Sequence, residues 1–166
     1  MALVLNTNSY VTLDEAELYF ETRIDSANWF NSEDEIKEQA LVTATQIVDN
    51  HAWIGSAISP SQALAWPRKN AIYNDPRLGL TVSVAENEIP QQVKVAVYEQ
   101  ALHLIDNEDL LSGTTQTFES IKIGSIAIED KNSDTTKTPT KAKLVVSTIK
   151  PLLRSSGTSL TWWRAN

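Results

Sequence analysis

Four stretches of the chain carry apolar residues at three- and four-residue steps, and one carries them at alternate positions. The spacing predicts a mainly α protein, a small bundle of about four helices with a long Pro/Gly loop, a β-hairpin and an extended C-terminal arm. The first helical stretch opens at Thr12-Leu-Asp-Glu15, where a hydroxyl and a carboxylate three residues on have the spacing of a capping box. Leu13, Ala16, Tyr19, Phe20 and Ile24 make its apolar face as far as about Ile24, opposite Asp14, Glu15, Glu17 and Glu21. Ser26–Asn31 reads as a turn carrying Trp29 and Phe30. Ser32–Glu35 repeats the capping-box spacing and opens a second helix to about Asn50, with Ile36, Ala40, Leu41, Ala44, Ile47 and Val48 as its buried face.

Residues 54–89 break the helical period with Gly55, Pro60, Pro67, Pro76 and Gly79 and read as one long loop. Pro90 then takes the first position of a third helix, which runs to about Asp109. Val93, Val97, Ala101, Leu104 and Ile105 share one face, and Ala96, Tyr98 and Leu102 widen it. A face that broad predicts the central helix of the bundle. After Gly113 the period becomes alternating, and Glu119–Ile123 with Ile126–Asp130 around Gly124-Ser125 predict a hairpin within about 117–130. Residues 131–138 are polar throughout, with too little apolar surface to order them. A last helix is expected from about Thr140 to Leu153, with Leu144, Val145, Thr148, Ile149 and Leu152 apolar and Pro151 tightening its end. The chain thus divides into one helical domain, 1–154, and an arm, 155–166.

Charge changes this picture more than composition does. Of 166 residues, 42% are apolar and 21% charged, ordinary for a globular chain, and no apolar run approaches the ~20 residues that span a bilayer. The start, Met1-Ala-Leu-Val-Leu-Asn, lacks the basic region of a secretory signal, and the absence of cysteine suits a reducing cytoplasm. The net charge of −7 is uneven: residues 1–60 hold ten acids and two bases, residues 61–110 seven and four, and residues 111–166 four and eight. An acidic body repels nucleic acid, while a basic C-terminal third fits head-to-tail packing of copies or an acidic partner.

Two stretches stand out as candidate binding elements. In Gln62-Ala-Leu-Ala-Trp-Pro-Arg68, Pro67 stiffens the stem of Trp66 and places it near Arg68. Gln62, Trp66, Pro67 and Arg68 therefore form either a plug that closes the domain's own core or a subunit interface. In the arm, Ser and Gly lead to Leu160, Trp162, Trp163 and Arg164, which either dock on the domain itself or anchor a partner. Catalytic patterns are missing. His51 and His103 belong to no metal-binding spacing, and no P-loop, GxGxxG or GxSxG occurs. The carboxylates of the helix starts are where the helix dipole favours them. We therefore expect no enzyme, no cofactor and no metal.

Taken together, Tyr10–Phe20 with Arg23 and Trp29, Glu38–Asp49, Gly55, Gln62–Arg68, Ile89-Pro90 and Val93–Ala101 resemble the head–tail adaptor (neck or connector) proteins of tailed bacteriophages. Some members of that family carry the label "putative DnaT-like single-stranded-DNA-binding protein". The likeness covers about residues 10–105. It implies a structural protein that assembles as a ring, commonly of twelve copies, beneath the portal vertex. Such a ring would extend the DNA channel without specific DNA binding and offer a surface to a tail or nozzle protein. The place implied is the virion neck, with assembly in the host cytoplasm. The label implies the alternative, a single-stranded-DNA-binding protein.

Overall fold

The computed structural model describes residues 2–107, 122–123, 126–127 and 143–154. The chain is mainly α, with helices α1 (Leu13–Glu21), α2 (Ala27–Asn31), α3 (Asp34–Asp49), α4 (Gln91–Asp106) and α5 (Lys143–Ile149), the last continued by a 3-10 turn at Lys150–Leu152. Short antiparallel ladders join β1 (Ser56–Ala57) to β2 (Arg68–Lys69), β3 (Ile72–Asp75) to β4 (Leu80–Ser83), and β5 (Lys122–Ile123) to β6 (Ile126–Ala127).

α1 begins as its sequence predicts. The Thr12 hydroxyl accepts from the Glu15 amide at 3.1 Å, and Glu15 Oε2 accepts from the Thr12 amide at 3.0 Å. The helix stops at Glu21, short of the expected end, and Asp25 turns the chain with φ of 64°. Ile24, expected on the buried face, is consequently 83% exposed. The segment expected to be a turn is helix α2, whose Trp29 is buried against Phe20. The second capping box does not form. Ser32 ends α2, its hydroxyl donates to the Asn28 carbonyl, and α3 starts from Glu33 with no side-chain cap. Ile36, expected on the buried face, is 48% exposed in the first turn of α3.

α4 is the central helix. Its residues from Ala96 to Leu102 are buried without a break, and it packs against α3, α5 and α2. Burial on every side is the expected state of a helix enclosed by others. Pro90 caps α4 rather than occupying its first turn. The core joins Phe20, Trp29, Leu41, Val48, Val93, Val97 and Leu102 with Val145, Ile149 and Leu152. α5 is shorter than expected among the described residues, and Pro151 sits in the 3-10 turn that closes it. The end of the domain is tied to the end of α3, where the Arg154 amide donates to the Ala52 carbonyl at 2.7 Å and the Ile54 amide to Leu152 at 3.0 Å.

The long loop is a correction. Residues 54–89 hold two ladders, β1–β2 and β3–β4, rather than a structureless connection. Of the expected hairpin at about 117–130, the central pairs Lys122↔Ala127 and Ile123↔Ile126 are present, and its outer parts lie outside the described residues. So do residues 131–138 and the arm, 155–166.

Candidate functional site

Gln62–Arg68 is drawn inward by partners from remote parts of the chain. Gln62 is the local organiser. Its Oε1 accepts from the Ile58 and Ser59 amides at 2.8 and 3.1 Å, and its Nε2 donates to the Leu64 and Pro67 carbonyls at 2.5 and 3.3 Å. Trp66 is 2% exposed and meets Trp53 edge to face, with centroids 5.7 Å apart. The Trp66–Pro67 peptide is cis. The Arg68 guanidinium donates to three backbone carbonyls, those of Ile54 at 2.7 Å, Ala65 at 3.1 Å and Gly55 at 3.1 Å. Gly55 holds φ of 67°, and a Cβ there would lie 2.5 Å from the Lys69 carbonyl oxygen, so only glycine fits this close approach.

Tyr10 and Asp49 complete the cluster; both stand in stretches that carry the family resemblance, but no sequence pattern assigns either of them a place in the site. The Tyr10 hydroxyl donates to Asp49 Oδ1 and accepts from the Trp66 amide at 3.0 Å, while the same Asp49 oxygen accepts from the Ala65 amide at 2.8 Å. Burial and the neighbouring Asp49 carboxylate both push the Tyr10 phenol up, so it remains a neutral donor. Burial pulls the Arg68 guanidinium down from its ordinary value. The result is a polar clamp around an indole, binding the N-terminal segment, the end of α3 and the loop. It contains no nucleophile paired with a base.

Among the described residues four other bases form ion pairs. Lys37 is 5% exposed, and its Nζ lies 3.0 Å from both Glu17 and Asp34. Burial opposes its charge, but the two carboxylates outweigh burial and raise its pKa. Glu99, 4% exposed on α4, takes the Tyr19 hydroxyl at 2.6 Å and Arg23 at 2.8 Å. Lys94 meets Glu15 at 2.8 Å. Arg77 meets Asp75 at 2.9 Å and holds that carboxylate down at about 2.

A cleft of about 340 Å³ lies between the β3–β4 turn, the first turn of α4 and the end of α5, lined by residues that include Asp75, Arg77, Gln92, Val95 and Pro151. Its carboxylate and guanidinium satisfy each other, which leaves no poised acid or base. Among the described residues no cluster of His, Asp and Glu is arranged to hold a metal, and no helix is long and apolar enough to cross a membrane. His51 Nδ1 lies 3.0 Å from the Val48 carbonyl oxygen, at the end of α3. Leu160, Trp162, Trp163 and Arg164, the candidate partner anchors, lie outside the described residues.

The sequence from residue 2 to residue 165 matches the model of a family described as "Putative DnaT-like ssDNA binding protein", and the chain belongs to that family. No curated protein and no solved structure matches it significantly.

Proposed function

We propose that the chain is a structural virion protein, a head–tail adaptor whose copies form a ring, commonly of twelve, under the portal of a tailed phage. The ring extends the DNA channel and presents its distal face to a tail or nozzle protein. This reading rests on the resemblance carried by Tyr10–Ala101 and goes beyond the family's description. The observation that supports it best is how the charges are used. Arg23, Lys37, Arg77 and Lys94 are spent on carboxylates and Arg68 on carbonyls, so that among the described residues Lys69, Lys150 and Arg154 are the exposed bases without a carboxylate, while Asp14, Glu21, Asp25, Glu33, Glu35, Glu86 and Glu88 stand exposed without a base. An acidic surface of this kind gains nothing from phosphates and suits a wall past which DNA slides. No described group supplies a catalytic constellation, and the reading requires none. Leu160, Trp162, Trp163 and Arg164 would anchor the C-terminal arm on the portal, because aromatic and arginine side chains dominate partner interfaces.

The family description favours a second reading, single-stranded-DNA binding. Such binders line a basic groove with stacking rings. Among the described residues Phe30 is the exposed ring, and Tyr10, Phe20, Trp29, Trp53, Trp66 and Tyr98 are buried.

One paired experiment separates the two. The purified protein is mixed with the portal ring encoded by the same genome and imaged by electron microscopy, and its shift of single-stranded DNA is measured at about 150 mM salt, where purely electrostatic binding is weakened. The expected result is a matching ring of added density on the outer end of the portal, with no micromolar shift. Bare portals together with micromolar DNA binding would overturn the adaptor reading in favour of the second.

A further inference from the structure

The cleft between the β3–β4 turn, the first turn of α4 and the end of α5 has apolar walls in Pro76, Val95 and Pro151. Its volume, about 340 Å³, suits a small apolar group held by a few polar contacts. The polar groups at its rim are only partly used. Gln92 Nε2 donates to the Tyr73 hydroxyl at 3.1 Å, which fixes the amide, and its Oε1 accepts from no other described group. Arg77 is held by its edge. Its Nε and Nη2 reach Asp75 at 3.2 and 2.9 Å, yet the side chain is 77% exposed. A guanidinium paired through its edge keeps its flat face for an aromatic ring. Apolar walls, a fixed acceptor and a guanidinium face together fit an indole, which buries its rings and needs one partner for its N–H.

The chain brings such rings close. Pro151 lines the cleft, and three residues later Arg154 closes the described domain, its amide on the Ala52 carbonyl. The twelve residues that follow, 155–166, begin Ser-Ser-Gly-Thr-Ser and carry Leu160, Trp162 and Trp163. Trp162 stands eleven residues after Pro151. A Ser/Gly-type chain of that length spans about 17–20 Å root-mean-square, and a tether so short sets an effective concentration on the order of millimolar. A partner of the same chemistry at micromolar levels in solution does not match it.

We infer that this cleft is the resting seat of the chain's own C-terminal arm. In the free protein the Trp162–Trp163 pair packs on Pro76, Val95 and Pro151 of the same copy, against the open face of Arg77. The contact covers two rings that would otherwise add exposed apolar surface, and it holds the arm back until a stronger site takes it. Under the adaptor reading that site is the portal, so the arm is released only where a portal is present. That purpose rests on the adaptor reading; the contact itself does not.

The chain contains no cysteine, so one introduced thiol carries one label. Leu78→Cys, next to Arg77 on the turn, replaces an exposed side chain and leaves the core untouched. A bimane attached there is quenched on contact by tryptophan and not by phenylalanine. Trp29, Trp53 and Trp66 are buried and common to every variant. The labelled full chain is compared with the same chain carrying Trp162→Phe and Trp163→Phe. The full chain is expected to be dimmer by about twofold or more, unchanged over a roughly hundredfold dilution because the contact is intramolecular. Ser147→Arg, at an exposed position lining the cleft, fills it and should restore the brightness. Equal brightness of the two chains would overturn the inference. So would dimming that fades on dilution, which assigns the arm to a second copy, and dimming that survives Ser147→Arg, which seats the arm elsewhere on the domain. Dimming that meets these conditions and persists after the portal is added would support the cleft contact and refute portal anchoring by the arm.

Discussion

At the scale of single residues, Trp66 shows how a side chain suited to an interface comes to serve a core. Its ring is enclosed by Trp53 and by the clamp of Tyr10, Asp49 and Arg68, but its indole N–H has no hydrogen-bond partner among the described residues. An unpaired buried donor costs free energy, yet the area of an indole outweighs that penalty several-fold. Trp66→Ala is therefore expected to destabilise the fold by about 3–5 kcal/mol in urea unfolding, through lost burial and the void left behind. Trp66→Phe, which keeps most of the bulk and removes the unpaired donor, should cost distinctly less. Equal losses would mean that the ring is not held by packing. If Trp66→Ala disrupted assembly with unfolding unchanged, the residue would belong to an interface instead.

At the scale of elements, local signals were legible and relayed ones were not. The Thr12–Glu15 capping box forms because both hydrogen bonds lie within one turn, and Glu15 Oε1 remains free to bind Lys94, welding the start of α1 to α4. Thr12→Ala should lower stability by about 1 kcal/mol, read as a shifted urea midpoint with an unchanged slope. The matching signal at Ser32–Glu35 failed because α2, which the sequence disguised as a turn, takes the Ser32 hydroxyl. The breadth of α4 was plain from its apolar positions, and so was its central place. The β3–β4 ladder was hidden by the prolines and glycines around it and by strands that turn Ile72 and Leu80 to solvent instead of to a core. The same limit applies to the candidate site. Gln62, Trp66 and Arg68 could be picked out by residue type, but the Tyr10 hydroxyl that receives the Trp66 amide stands 56 residues away, and no spacing rule reaches that far.

At the scale of the whole molecule, the ionisable groups set a window of stability with two different edges. On the acid side, Arg77 holds Asp75 down to about 2, and Glu15 is also lowered, since Lys94 and the Thr12 amide together outweigh the burial that would raise it. A carboxylate whose folded pKa is depressed contributes stability that is present above its unfolded value, about 4, and lost as pH falls through the folded value. On the alkaline side, Tyr10, Tyr19 and Tyr98 are all raised above their ordinary 10.0, chiefly by burial, with Asp49, Glu99 and Glu15 respectively adding to it. A phenol raised by folding must stay neutral to remain buried, so its contribution is present below about 10 and lost as pH rises beyond it. The urea midpoint should therefore stay level between about pH 5 and 9, decline from about 4 toward 2, and decline again above about 10. Asp75→Asn should flatten part of the acid decline and leave the alkaline one unchanged, because the carboxylate lies on the hairpin and the phenols lie in the core. Tyr10→Phe should do the reverse on the alkaline side while losing the link to Asp49 at every pH. If Asp75→Asn left the acid decline as steep as before, the turn around Arg77 would not be held by that carboxylate, and the Asp75–Arg77 pair would contribute nothing to the acid edge of the stability window.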